Sequence, residues 1–218
     1  LSTNNTQELL DDIYTAIIDG DAGKVTAGVQ AALEKEADPG QILNESMIEA
    51  MAEVGRMFEE QECFVPEMLI AARAMKAGME ILRPHLVAAD IQPIGKVVLG
   101  TVHGDLHDIG KNLVGMMLEG AGFEVIDLGV DVPPQRFLEA VFEHQPSLVG
   151  MSALLTTTMG SMHKTVQTIK EAGLPNQPGI MIGGAPVTED FAQQIGADLF
   201  APDASTASKR AKGWLEKA

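Results

Sequence analysis

Residues 96–128 read KVVLGTVHGDLHDIGKNLVGMMLEGAGFEVIDL. Lys96–Val102 is a short apolar run rich in Val, and Phe123–Leu128 is a second, with a helical pattern at about 110–120 between them. Apolar runs of this length, bounded by loop residues, read as strands buried on both faces. The alternation continues through strands at Leu148–Met151, Ile180–Ile182 and Asp198–Ala201, and helices at about 134–144, 159–172, 187–195 and 204–217. Strand and helix alternating through five strands predict a doubly wound α/β fold, flavodoxin-like or Rossmann-like, with a five-stranded parallel sheet covered on both faces. Ligands of such sheets bind at the carboxyl ends of the strands, near the switch point between the first and third strands. The chemistry is therefore expected in the loops after Val102, Met151 and Ile182.

Upstream of residue 88 the period is helical only. Leu9, Leu10, Ile13, Ala16 and Ile17 form one stripe ended by Gly20, and Val25, Val29, Ala32 and Leu33 form another, closed by Asp38-Pro39-Gly40. Ile42, Leu43, Met47, Ala50, Met51, Val54, Met57 and Phe58 form a third; Met68, Ala72, Met75, Met79 and Leu82 follow Pro66 as a fourth. Four amphipathic helices joined by short polar turns predict a four-helix bundle. The expected domains are a helical cap over 1–88 and an α/β domain over 89–218, with a linker at 85–95 between Pro84 and Pro93.

Composition narrows the functional classes. Against 15 Lys and Arg stand 31 Asp and Glu, a formal net charge of −16, which disfavours nucleic-acid or anionic-membrane partners. The single Cys63 excludes an internal disulfide and suits a reducing compartment. The longest stretch without formal charge, Gln145–His163, holds Ser147, Ser152, Thr156, Thr157, Thr158 and Ser161, too polar for a bilayer core. The polar, acidic start is unlike a signal peptide, so a cytoplasmic location is expected.

The loop after the first strand places His103, Asp105, His107 and Asp108 within six positions. A metal-bound imidazole usually gives its other N–H to a carboxylate, and Asp105 and His107 are spaced for that pairing. Asp108 also suits the N-cap of the next helix, and Gly110 a turn or close packing. The second loop, Met151-Ser-Ala-Leu-Leu-Thr-Thr-Thr158, offers a row of hydroxyls, and Gly183-Gly184 in the third lets a bulky group approach the backbone.

Asp105-x-His107-x-x-Gly110, followed by Ser152-x-Leu154 and then Gly183-Gly184, resembles the signature of proteins that bind cobalamin with its nucleotide base off the cobalt. Upstream, Met51-x-x-Val54-Gly55-x-x-Phe58-Glu59, Phe64-Val-Pro66-Glu-Met-Leu69 and Ala71-Ala-Arg73-Ala-Met75 resemble the helical cap of methionine synthase and its corrinoid methyltransferase relatives. The chain as a whole is similar to the stand-alone corrinoid proteins of anaerobic methyltransferase systems.

The resemblance implies a cobalamin or related corrinoid cofactor whose cobalt is ligated by His107, with Asp105 and Thr158 completing a ligand relay. Thr158 stands where methionine synthase has a Ser. It also implies ring or tail contacts from Gly104, Leu106, Asp108, Ile109 and Gly110, and from Leu154, Thr156 and Ala204. Ser152 would hydrogen-bond the displaced base, Gly183 and Gly184 would leave room for the tail, and Phe64, Met68, Ala72 and Met75 would form an apolar surface over the methyl face. The implied role is a methyl carrier, itself catalysing neither transfer, cycling between cobalt(I) and methyl-cobalt(III). Its implied partners are a substrate-specific methyltransferase, a second methyltransferase that passes the methyl to tetrahydrofolate or a thiol, and a reductive activase.

Other readings fit less well. A cobalamin-binding subunit of an adenosylcobalamin mutase is expected to lack such a cap, and a cobalamin-dependent regulator needs a DNA-binding or output domain. A response-regulator receiver needs an Asp after the third strand, where Ser152 stands. A zinc hydrolase built on His103, Asp105 and His107 would draw poor tetrahedral geometry from one short loop.

Overall fold

The computed structural model describes residues 2–217. The chain forms two compact units, divided between Pro93 and Ile94. The first is helical: α1 (Ser2–Ile18), α2 (Ala22–Glu34), α3 (Pro39–Gln41), a π-helical segment (Ile42–Ile48), α4 (Glu49–Glu59) and α5 (Val65–Ala88). Asp21 caps α2 by accepting from the Lys24 N–H at 3.0 Å, and Asp38 caps α3 by accepting from the Gln41 N–H at 2.9 Å. α1 packs on α2, α4 and α5, and α2 and α4 also pack on α5. Ile13, Ile17, Val25, Val29, Ile42, Met47, Met68 and Leu82 are fully buried. Each buried side chain of this size contributes about 1.5–3 kcal/mol.

Two features of this unit depart from the sequence reading. The third stripe lies on one continuous helical run whose middle, Ile42–Ile48, is π-helical. α5 continues through Pro84 to Ala88, so residues 85–88 of the expected linker are helical. Pro84 removes one backbone donor, but the buried Leu82 and Leu86 on either side hold the helix to its neighbours.

The second unit is a five-stranded sheet in the order β2-β1-β3-β4-β5, with every neighbouring pair parallel. Its strands are β1 (Lys96–Thr101), β2 (Glu124–Asp127), β3 (Leu148–Ser152), β4 (Gly179–Gly183) and β5 (Leu199–Ala201). The helices are α6 (Ile109–Gly120), α7 (Pro134–His144), α8 (Met159–Glu171), α9 (Glu189–Ile195) and α10 (Ala204–Leu215). Successive strand residues feed opposite layers. Val98, Val149, Ile180 and Ile182 pack with Phe137, Ala140, Met162, Val166 and Ile195 of α7, α8 and α9. Val97, Leu148 and Met181 pack with Leu118, Ala207 and Ala211 of α6 and α10. Apolar residues at consecutive strand positions thus follow from helices on both faces. The order changes direction between β1 and β3, and the loops that leave their carboxyl ends carry the unusual residues.

Candidate functional site

Parallel register sets Thr101 beside Ser152 and Ser152 beside Gly183, so the loops after β1, β3 and β4 leave the sheet at one level. Thr101, fully buried at the end of β1, donates its hydroxyl to the His107 carbonyl at 2.9 Å. Gly104 turns the loop at φ +86°, a backbone conformation that favours glycine.

Asp105 is the centre of the site, with an exposure of 0%. Its Oδ1 accepts from the His107 backbone N–H at 3.0 Å and lies 2.8 Å from His107 Nδ1. Its Oδ2 accepts from the Leu154 N–H at 2.7 Å, the Leu155 N–H at 3.3 Å and the Thr158 hydroxyl at 2.9 Å. The Thr158 proton also faces the Leu155 carbonyl at 2.8 Å, so one hydroxyl hydrogen lies between two acceptors. The methyl of Thr158 points toward Gly104, where even an added Cβ would sit at an ordinary 3.5 Å. Thr therefore fits the relay position without crowding.

Burial pushes the Asp105 carboxyl up, but the hydrogen bonds from the His107 and Leu154 backbone, the His107 ring and the Thr158 hydroxyl outweigh it. They hold the carboxyl well below the usual carboxylate range. A buried carboxylate of this kind fixes the imidazole beside it. Half of the His107 side chain remains exposed, and among the described residues none bonds its Nε2.

The neighbouring expected residues divide into open and covered ones. Leu106 and Ile109 are 73% and 76% exposed, and Leu154 is 42% exposed. Large apolar side chains grouped at the carboxyl end of the sheet mark a surface that something covers. Thr156 is exposed, and half-buried Ser152 makes no side-chain hydrogen bond to another described residue. An added Cβ on Gly110 would meet nothing within 4 Å, so packing within the chain does not account for that glycine. Asp108 occupies the N-cap of α6 without capping it; its carboxylate instead accepts from Asn112 Nδ2 at 3.1 Å.

Packing within the chain already engages several of the other expected residues. Met68, Ala72 and Met75 are buried and present no open apolar surface, because α5 turns them into packed positions. Phe64, 63% exposed at the start of α5, is the one of the four open to a ligand. Ala204 is buried at the first residue of α10, so its side chain is already covered. A Cβ on Gly184, at φ +125°, would fall 1.9 Å from the Ala153 carbonyl oxygen, and one on Gly183 would fall 2.8 Å from that of Ala201. Both glycines are thus demanded by the close approach of neighbouring strand ends, whatever room they leave for a ligand.

Three residues of the site were not singled out in the sequence. Thr101 anchors His107, and its only signal is a polar residue ending an apolar strand. Asp131 pairs with His103, Oδ1 to Nδ1 at 2.7 Å. Lys111, buried in the first turn of α6, reaches Asp127 at the end of β2 and donates to Asn112 Oδ1 at 2.7 Å.

Among the described residues no group of three or more His, Cys, Asp or Glu side chains is placed to hold a metal ion. A lone imidazole with a fixed Nδ1 and an open Nε2 instead suits a metal that brings its equatorial ligands with it, as cobalt does in a corrin ring. The exposed Leu106, Ile109 and Leu154 suit the apolar faces of such a ring.

Comparison with known proteins agrees with this fit. A family model described as a B12 binding domain matches residues 95–210, and a second of the same description matches residues 9–83. The chain is 42% identical over 210 residues to dimethylamine corrinoid protein 1 of Methanosarcina acetivorans, covering 96% of this chain and 98% of that protein. It is 39% identical over 211 residues to trimethylamine corrinoid protein 1 of the same organism, covering 96% and 98%. Among solved structures, a chain of the methanol:cobalamin methyltransferase complex of Methanosarcina barkeri superposes with a TM-score of 0.87 at 33% identity, covering 97% of this chain and 81% of that one. A cobalamin-binding protein of Desulfitobacterium hafniense superposes with a TM-score of 0.78 at 36% identity, covering 94% and 98%. A chain that matches in both its helical and its α/β parts, over nearly the full length of these relatives, belongs to the family of B12-binding corrinoid proteins, the methyl carriers of methyltransferase systems.

Proposed function

We propose that the protein holds its corrinoid through His107 Nε2, with the nucleotide base displaced, and carries a methyl group from a methylated-amine methyltransferase to a second methyltransferase. The observation that carries this reading is the buried Asp105 carboxylate 2.8 Å from His107 Nδ1, which leaves Nε2 free at the carboxyl end of β1. The corrinoid, when bound, supplies the cobalt that takes up and gives up the methyl group.

The chain's residues do the rest. Asp105 orients the ring and makes its Nε2 a better donor, while Thr158 and the Leu154 N–H hold Asp105. The Thr158 hydroxyl, its one proton shared between Asp105 Oδ2 and the Leu155 carbonyl, would hold the Asp105 carboxylate in place beside His107 when the corrinoid is bound. Leu106, Ile109 and Leu154 exclude water from the ring, and Ser152 offers an uncommitted hydroxyl to the displaced base. The amine is proposed because the similar proteins of Methanosarcina acetivorans carry dimethylamine and trimethylamine in their names. The second methyltransferase is proposed to pass the methyl to tetrahydrofolate or a thiol, and a reductive activase to restore the carrier after oxidation.

Reconstitution with hydroxocobalamin tests the binding role. The wild type is expected to keep one corrinoid through gel filtration with a base-off visible spectrum, and His107→Ala to change that spectrum. Loss of all corrinoid from the wild type on the column would contradict the carrier role. Methyl transfer from dimethylamine or trimethylamine in the presence of candidate methyltransferases then tests the donor class.

A further inference from the structure

The loop that carries Asp105 and His107 is held from two sides. On the β3 side, Leu154, Leu155 and Thr158 grip the Asp105 carboxylate. On the β2 side, residues 129–132 run alongside 101–105 as a strip of hydrogen bonds. The Thr101 N–H donates to the Gly129 carbonyl at 2.9 Å, and the Val132 N–H to the Thr101 carbonyl at 2.9 Å. The strip then reaches the site itself: the Asp131 N–H donates to the Asp105 carbonyl at 2.9 Å, and Asp131 Oδ1 accepts from the Gly104 N–H at 2.7 Å. Side chain and backbone of one residue thus hold the Gly104 N–H and the Asp105 carbonyl, at the two ends of the Gly104-Asp105 dipeptide. The same Oδ1 lies 2.7 Å from His103 Nδ1.

Asp131 adopts φ +54°, a left-handed conformation that is unfavourable for a residue with a Cβ and least so for Asp and Asn. Glycine would take this conformation more easily, and the side chain present instead makes the Gly104 contact. A backbone conformation of this kind beside a functional loop persists where the surrounding bonds need it.

We infer that Asp131 is a positioning residue for the axial histidine: its carboxylate fixes the Gly104 N–H, its own N–H fixes the Asp105 carbonyl, and together they set the direction in which His107 presents Nε2. The inference rests on His107 being the axial ligand, and it assigns the β2–α7 loop a part in ligation that none of its side chains performs by contact with the metal. Lys111, latched to Asp127 at the end of β2, ties the following helix to the same strand.

The test uses the full chain loaded with hydroxocobalamin and reduced to the cobalt(II) form, whose electron paramagnetic resonance lines are split by an axial nitrogen. Asp131→Gly keeps the left-handed backbone and its N–H while removing the carboxylate. Asp131→Asn keeps an acceptor oxygen for the Gly104 N–H. His107→Ala is the reference for complete loss of the axial nitrogen. Asp131→Gly is expected to bind hydroxocobalamin about 10-fold more weakly, the lower end of what an outer partner of a metal ligand controls, and to show a mixture of nitrogen-split and unsplit signals. Asp131→Asn is expected to restore most of the splitting. Wild-type affinity and splitting in Asp131→Gly would overturn the inference, as would an Asp131→Asn protein no better than Asp131→Gly. Failure of histidine-specific nitrogen-15 labelling to change the wild-type splitting would instead remove the axial-ligand reading on which the inference stands. Thermal melts of the unloaded variants separate loss of positioning from loss of folding, and a carboxylate that matters only for folding would show the wild-type splitting in whatever protein remains loaded.

Discussion

Two His–Asp pairs stand beside the carboxyl end of β1, nearly equal in length and unlike in surroundings. His107 and Asp105 are 2.8 Å apart with the carboxylate wholly buried; His103 and Asp131 are 2.7 Å apart with the Asp131 side chain 48% exposed. Distance alone does not distinguish them. The Asp105 carboxylate faces donors from His107, Leu154, Leu155 and Thr158 and is shielded from water, so it can hold one ring in one orientation. The His103–Asp131 contact is solvated and screened, and exposed pairs of this kind contribute only about 0–1 kcal/mol. The lesson is that a His–Asp pair becomes a ligand device through what holds its carboxylate. Asp131 matters through the Gly104 backbone rather than through His103.

The widest gap between the pairs is expected on removing each carboxylate's partners. Asp105→Ala strands several buried donors and is expected to cost about 3–5 kcal/mol in urea unfolding of the unloaded protein. A cost under 1 kcal/mol would break the contrast. The sign of its pH dependence follows from the depressed carboxyl. The stability Asp105 contributes is complete well above the unfolded value of about 3.9 and is lost as the pH falls below it toward the folded value. The stability difference between wild type and Asp105→Asn should therefore shrink as unfolding is measured from pH 6 down to pH 3. A difference that stays constant or grows on acidification would contradict the assignment.

Thr158→Val is next, expected to cost about 1–3 kcal/mol by leaving Asp105 Oδ2 short of a donor. Thr158→Ser keeps the hydroxyl and should stay closer to the wild type. A loss in Ser as large as that in Val would mean that the methyl matters as much as the hydroxyl and would contradict the assignment. The smallest effect is assigned to the exposed pair: His103→Ala should shift unfolding by less than about 0.5 kcal/mol. A larger shift would show that the second pair is not the solvated one described here.

Much of this arrangement was legible because it is local. The five strands, their helices and the Asp105–His107 spacing follow from apolar periodicity and from residues two apart on one loop. What was not legible depends on distant neighbours or on backbone detail. Gly183 and Gly184 read as room for a ligand, yet the Ala201 and Ala153 carbonyls, delivered by the ends of the neighbouring strands, already demand them. Met68, Ala72 and Met75 read as an open surface, yet helical spacing alone does not say which side of α5 is covered. In the π-helical segment Ile42 and Met47, five apart, are both fully buried, a pairing that the wider turn brings to one face. Asp131 was missed because its partner Gly104 lies 27 positions away and bonds through the backbone.

The central claim is that a histidine nitrogen of this chain ligates the cobalt. It is tested most directly by loading protein labelled with nitrogen-15 only in histidine with unlabelled hydroxocobalamin, then recording the electron paramagnetic resonance spectrum of the cobalt(II) form. An axial histidine nitrogen is expected to convert the three-line splitting of the unlabelled protein into two lines, and His107→Ala to abolish it. Splitting that remains three lines in the labelled protein would mean that the cofactor's own base is still bound, and would contradict the claim.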